Sequence, residues 1–583
     1  MTVAGATIRN SPAGLDEGRP GSRKSDYRLL RNCCWCVALT FGAADAWATR
    51  FTMYPDGVSY LDVGDAYWRG DWHNAINAYW SPLYPWIVGF FLKVFKPSAY
   101  WEYPLVHLVN FLIYVAALAC FDWFLNAFIG QQEARNRDVA LEPEMGLPTW
   151  AWLVLGYSAF ITSSLLLITI SFPSGDMVIA AVIYLAAALI LKIRQGAATL
   201  TTFACLGAVL GIGYLAKTAM FLMAIPFLIV AAATQRAATK SMTPTALSFV
   251  VFAVTACPFV LWLSLTKGRP TFGDSGKINY EISLNSVNFF IPRSPAAEHP
   301  VRRISDVPAA YEYSYPITGT YPLWYDPSYW HEGIQPQIDA KTQLLTVFTS
   351  VVKCSWISLS PLMGLNITAA ILFLYLIAPG IRSSLAHARS KWVLWVPAAS
   401  GIALYCLVVI EPRYIAAHFC LLWIVALSGA RVPVSSTSQR LIAGTVFAVA
   451  ITTCLAEGSQ ISRALSGSDY VRRRVATPAC WRVVATLESS GIKPGDRLAV
   501  IGDWLVPSEE AAYVARLART QIIAEARSDE FWSADASARS RVMAAFGRAG
   551  LKAILTYQPP KTENGWERLA GTDYYLYRVG AAK

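Results

Sequence analysis

The chain has 583 residues and a net charge of +11, yet only 15% of it is charged and 55% is hydrophobic, with 21 Trp. Soluble globular domains rarely reach that balance, so apolar runs of about twenty residues read as membrane-spanning helices. The basic residues sit in termini and short loops, without a basic stripe interleaved with aromatics, which argues against a nucleic-acid partner.

The first twenty-odd residues lack an apolar centre and are not a cleavable signal, so the first hydrophobic run is expected to stay as an anchor in the lipid bilayer. The eleven cysteines fall mostly within apolar runs and form no metal-binding or disulfide pattern. Apolar runs at 32–49, 104–126, 149–169, 177–193, 199–215, 218–234, 245–266, 361–379, 392–410, 414–430 and 441–456 give about eleven expected spans. The expected architecture is an α-helical polytopic membrane protein with a C-terminal soluble α/β domain. Its pieces are a cytoplasmic tail (1–31), a transmembrane domain (32–456) with extracytoplasmic loops 50–103 and 267–343, and an extracytoplasmic α/β domain (457–583).

Orientation follows from the placement of basic residues. Arg23, Lys24, Arg28 and Arg31 precede the first run, and Lys192, Arg194, Arg236, Lys240, Arg382, Arg389 and Lys391 all fall on the same side. The positive-inside rule makes that side cytoplasmic, with the N-terminus inside a bacterial-type inner membrane. The acidic stretch "YPDGVSYLDVGD" and the turns "SFPSGDM" and "EPRY" are then extracytoplasmic. "SPLYPWIVGFFLKVF" and "QLLTVFTSVVKCSW" read as interfacial helices.

Beyond residue 472 the composition changes. "RLAVIG", "KAILTY" and "YYLYRV" read as strands, and "EEAAYVARLART" and "ARSRVMAAFGRAG" as helices. "IGDW" lacks the glycines of a dinucleotide loop, so no nucleotide site is expected.

Carboxylates at helix ends beside a membrane are costly to desolvate, and several gather here. Asp56 follows the first span after a turn-fixing proline; Asp62 and Asp65, if helical, share a face with Ser59, with Trp68 and Trp72 nearby. Carboxylates and aromatic faces of this kind suit a polyhydroxylated substrate. The three aspartates also offer oxygen ligands to a divalent metal, Mg²⁺ or Mn²⁺, whereas His73 has no second His at zinc spacing.

"YPDGVSYLDVGDAYWRGDW", "LVHLVNFLIYVAALACF", "SFPSGDMVIAAVIYLAAAL", "GYLAKTAMFLMAIP" and "IEPRYIAAHFCLLWIVAL" together resemble GT-C superfamily glycosyltransferases of the protein O-mannosyltransferase and lipid A aminoarabinose transferase type. The resemblance spans roughly residues 30–430. It implies a hexosyl- or pentosyltransferase moving a sugar from a polyprenyl-phosphate donor to a hydroxyl of a glycan, lipid or protein acceptor, with inversion at the extracytoplasmic face. Asp56 is then the catalytic base, and Asp62, Asp65, Asp176, Lys217, Arg413 and Tyr414 bind substrate. The Asp-Glu pair of the mannosyltransferases is Asp56-Gly57 here, which leaves open whether Asp62 or Asp65 supplies the second carboxylate.

Bland alternatives stand beside these roles: Lys217 as a snorkelling lysine, Arg413 as a partner of Glu411, and Asp176 as a helix cap. Asp274, Asp326 and His331, in an aromatic-rich loop, are further candidate contacts. A lipid-linked saccharide flippase or secondary transporter is the rival class, disfavoured because the polar candidates gather at one face and no internal repeat is evident.

Overall fold

The computed structural model describes residues 20–138, 144–239, 241–287, 296–313, 316–467, 480–502, 507–557, 559, 565–569 and 572–579. Within the predicted cytoplasmic tail, residues 1–19 lie outside this set, as do the expected boundary at 472 and the Asp503 and Trp504 of "IGDW".

The chain is a polytopic helical membrane protein. Six described helices are long and apolar enough to cross a membrane: Ala99–Ala134, Thr149–Ile168, Asp176–Arg194, Met220–Ala238, Thr243–Thr266 and Ser436–Leu465. Shorter apolar helices cover Leu200–Ala216, Leu365–Leu376, Trp392–Cys406 and Pro412–Ser428, and the first predicted span lies in the helix Pro20–Ala48. Each run expected from hydropathy therefore falls on a helix. Two interfacial expectations also fall on helices, Leu83–Phe95 and Ala340–Leu359. The helix Ser436–Leu465 continues past the boundary drawn at 457.

One span is irregular where hydropathy predicts a plain helix. After Ile161 the backbone widens into a π-helix, Thr162–Ile168, and Thr169 takes a positive φ of 66°. Ser163 and Ser164 both turn their hydroxyls back onto the Phe160 carbonyl, at 3.0 and 2.6 Å, competing with the regular ladder. The turn that follows carries Asp176.

Nine strands occur among the described residues: β1 (Glu144–Met145), β2 (Arg302–Ser305), β3 (Ala310–Glu312), β4 (Val432–Pro433), β5 (Arg497–Gly502), β6 (Gln521–Arg527), β7 (Ala553–Tyr557), β8 (Glu567–Arg568) and β9 (Tyr574–Arg578). β1 and β4 pair alone; the others form one sheet in the order β2-β3-β6-β5-β7-β9-β8. β5 is parallel to β6 and β7, as expected where helices connect the strands.

The sequence reading anticipates β5, β7 and β9 but not β6, and it places the loop 267–343 apart from the C-terminal α/β domain, hereafter the tail. In the structure β3, from that loop, pairs antiparallel with β6. The loop thus extends the tail's own sheet, and the two make one body.

That body also shares a core with the first loop. Val58, Leu61, Val88 and Tyr103 of the 50–103 segment and Val106 just beyond it belong to the same buried cluster as Val483, Leu487, Tyr513 and Leu517 of the tail. The Tyr103 hydroxyl donates to the Tyr513 carbonyl at 2.8 Å. Burying such side chains contributes about 1.5–3 kcal/mol each.

Candidate functional site

Four helix ends converge on a cavity of about 490 Å³. Pro55 opens the helix Pro55–Arg69 with the ring-fixed φ suited to a first helical position, and Asp56 lies in its first turn. Asp176 begins the helix Asp176–Arg194, and Arg413 lies in the first turn of Pro412–Ser428, again led by a proline. Lys217 caps the C-terminal end of Leu200–Ala216, where the helix dipole favours a cation. All four side chains, with Tyr414, line the cavity.

The charges alternate. Arg413 donates to Asp56 Oδ2 at 3.2 Å and lies 3.7 Å from Asp176 Oδ2. Lys217 Nζ donates to Asp176 Oδ1 at 2.5 Å. Asp176 is 4% exposed and also accepts from the Ser174 hydroxyl at 3.0 Å, whereas Asp56 is 21% exposed. Lys217 Nζ sits 3.6 Å above the Tyr414 ring, and the Arg413 guanidinium 4.5 Å from the Phe172 ring. Glu411 pairs with Lys353 rather than with Arg413, and Lys217 is held by Asp176 instead of reaching for the interface.

Tyr60 and Tyr79 form part of the wall. Burial, reinforced by the nearby Asp56 carboxylate, holds both phenols well above their usual range, so they remain protonated donors. The roof comes from the second loop, between Arg269 and Asn279. Gly273 there has φ 132°, and a Cβ would stand 2.7 Å from Thr218 Cγ2, so the close approach of roof to wall requires glycine. The Asp274 amide ties the roof to the first loop by donating to the Ala78 carbonyl at 2.7 Å.

Asp62 and Asp65 are not among the residues lining this cavity, which corrects their grouping with Asp56. At 3.6 residues per turn they lie about 240° and 180° around the helix from Asp56. Both face the tail instead. Arg516 Nη1 donates to Asp62 Oδ1 and to Asp65 Oδ2 at 2.7 Å each, and Arg516 Nε donates to Glu102 Oε1 at 2.7 Å. Asp62 also accepts from the Thr320 amide at 2.7 Å and the Thr320 hydroxyl at 3.0 Å. Trp68 and Trp72, expected near a sugar, pack on Phe90 and on Trp262.

The loop candidates divide in the same way. Asp274 lines the cavity, bound by Arg269 at 2.6 Å. Asp326 Oδ1 accepts from the Ser328 amide at 3.0 Å and caps a short helix. His331 is buried 3.1 Å from Glu281.

The donor set does not fit a divalent ion held by three aspartates. Asp62 and Asp65 are engaged by Arg516, and cations already stand against Asp56 and Asp176. No group of three or more His, Cys, Asp or Glu suited to a metal occurs among the described residues.

Sequence reading names Tyr414 but misses Arg516, Arg519, Glu102 and the cavity tyrosines Tyr60 and Tyr79. None carries a local motif; they are lone side chains whose partners come from distant segments.

No protein-family model and no curated protein matches the chain. Solved structures do. ArnT from Cupriavidus metallidurans bound to undecaprenyl phosphate superposes with TM-score 0.52 at 13% identity, over 97% of this chain and 99% of that one. The chain shares the fold of that membrane protein. The Archaeoglobus fulgidus oligosaccharyltransferase in complex with zinc and sulfate matches with TM-score 0.50 at 11% identity, over 91% of this chain and 68% of that one. The likeness in fold to ArnT covers 97% of the chain and so reaches beyond residue 430, where the sequence motifs stop.

Proposed function

We propose that this chain is a membrane glycosyltransferase that moves a sugar from a polyprenyl-phosphate donor to an acceptor hydroxyl, with inversion, at the extracytoplasmic face of a bacterial-type inner membrane. The observation that carries the reading is the partly exposed Asp56 carboxylate, held in the cavity by Arg413 beside the buried Asp176–Lys217 pair. The undecaprenyl phosphate bound to the ArnT of like fold supports the donor class.

Asp56 takes the acceptor hydroxyl's proton as the oxygen attacks the anomeric carbon from the face opposite the phosphate. The bond from that carbon to the phosphate oxygen breaks, and polyprenyl phosphate leaves with the electron pair. Lys217 and Arg413 face the departing charge, and three helix N-termini add their dipoles to the same cavity. Asp176 neutralises Lys217 and Arg413 between turnovers and keeps both cations pointed inward.

The test is mass spectrometry of envelope glycolipids, glycans and glycoproteins from a strain lacking the protein against its parent. A missing sugar modification, restored by the wild-type gene and not by the Asp56→Asn form, is expected. An unchanged glycan inventory with a transported solute altered instead would overturn the enzyme in favour of a flippase or transporter.

A further inference from the structure

Among the described residues the tail contributes none to the cavity lining, yet it grips the helix that carries Asp56. Arg516, only 4% exposed, sits between Asp62, Asp65 and Glu102, and Arg519 donates to Glu102 Oε2 at 2.5 Å. Three carboxylates therefore meet two guanidinium groups at a junction of four segments. Those segments are the Asp56 helix, the start of the long helix Ala99–Asp138, the second loop through Thr320, and the tail.

We infer that the C-terminal domain is a positioning clamp for the proposed catalytic helix, with Arg516 as its key positioning residue. This rests on the reading of Asp56 as the base. Asp56 lies six residues before Asp62, about 9 Å along the same rigid helix, so movement at the clamp is delivered to the cavity. Without Arg516, Asp62 and Asp65 repel each other and Glu102 at a mostly buried junction, with Arg519 still standing against Asp65 and Glu102. The helix relieves that repulsion by swinging out, which changes the 3.2 Å Asp56–Arg413 contact. Misplacement of a base by about 1 Å costs roughly 10²-fold in rate. The second loop moves with the same device, because Thr320 binds Asp62 and β3 pairs with the tail's β6.

The alternative role for such a domain is capture of the acceptor, and the two differ in what Arg516 controls. The test is hydrogen exchange by mass spectrometry on the full-length protein in nanodiscs, comparing wild type with Arg516→Met, Arg516→Lys and the Arg516→Met/Asp62→Asn double variant. Arg516→Met is expected to raise exchange across residues 55–65 at least tenfold while 497–502 and 553–557 stay protected. The double variant, which removes one uncompensated carboxylate, is expected to recover part of that protection.

Where Arg516→Met also exposes the tail strands, Arg516→Lys decides. It keeps the charge but loses the fork, and faster exchange in 55–65 with protected strands supports the clamp. Wild-type exchange across 55–65 in both single variants overturns it, whether or not the chain transfers a sugar. Where transfer is measured, the clamp requires kcat to fall with the acceptor KM held; a raised acceptor KM at unchanged kcat would assign the tail to acceptor capture instead.

Discussion

The Arg413 guanidinium meets Asp56 Oδ2 at 3.2 Å, joining two residues 357 positions apart in sequence. This contact fixes the orientation of the proposed base, since Arg413 also leans on Asp176 and so cannot follow Asp56 freely. Replacing Asp56 by Asn removes the proton acceptor while keeping the volume, and transfer is expected to fall by about 10²–10⁴-fold. Arg413→Lys keeps a cation but cannot span both carboxylates, and a loss of about 10²-fold is expected. Steady-state rates with an undecaprenyl-phosphate sugar donor check both; wild-type turnover in Asp56→Asn would remove the base from the mechanism.

The Asp176–Lys217 pair makes a different demand. Asp176 is almost completely enclosed, so Lys217→Met strands a carboxylate in a poorly solvated site. Breaking one side of a buried pair costs about 3–5 kcal/mol, and the Arg413 contact at 3.7 Å places the expected cost near the lower end. The double variant Lys217→Met/Asp176→Leu removes both charges and should unfold closer to wild type than Lys217→Met does, while remaining inactive. Thermal unfolding in detergent beside an activity assay separates the two effects. Equal stability of the single and double variants would show that the charge is solvated.

Gly175 has an ordinary φ of −74°, so its importance is spatial rather than conformational. A Cβ there would stand 2.7 Å from the Ala216 carbonyl oxygen, in the residue just before Lys217. Backbone cannot step aside as a flexible side chain does, so Gly175→Ala must push apart the two segments that carry Asp176 and Lys217. A stability loss of about 1–3 kcal/mol is expected, with reduced turnover alongside. The measurements are the melting temperature and kcat; Gly175→Ser with wild-type values of both would show that the turn yields.

Much of the membrane part is legible because hydropathy writes helices directly into sequence. The site is legible to the extent that its members lie at helix ends beside turn residues. "YPD", "PSGD", "AKT" and "EPRY" each announce a terminus, and Asp56, Asp176, Lys217 and Arg413 do converge. Asp62 and Asp65 mislead because proximity in sequence to Asp56 is not proximity on a helix surface. Their partner, Arg516, lies more than 450 residues away, in a helix whose pattern is that of any amphipathic segment. The strand Gln521–Arg527 is hidden for a related reason. Glu525 interrupts its apolar run and is buried where the second loop brings two phenols to it.

That last arrangement gives its own prediction. The Tyr321 hydroxyl donates to Glu525 Oε2 at 2.9 Å and the Tyr313 hydroxyl at 3.4 Å, with Glu525 buried at the seam between loop and tail. Tyr321→Phe removes the shorter bond but leaves the carboxylate in place, so it bears most of the desolvation cost, about 1–3 kcal/mol. Paired with Glu525→Leu, which deletes the acceptor at nearly the same volume, the loss should shrink, because a buried carboxylate that has lost a donor costs more than a donor and acceptor removed together. Limited proteolysis of the loop between residues 296 and 325 reads the seam directly. Tyr321→Phe should be cut faster than wild type, and the double variant more slowly than Tyr321→Phe; equal cutting of wild type and Tyr321→Phe would mean that β3 alone holds the loop against the tail.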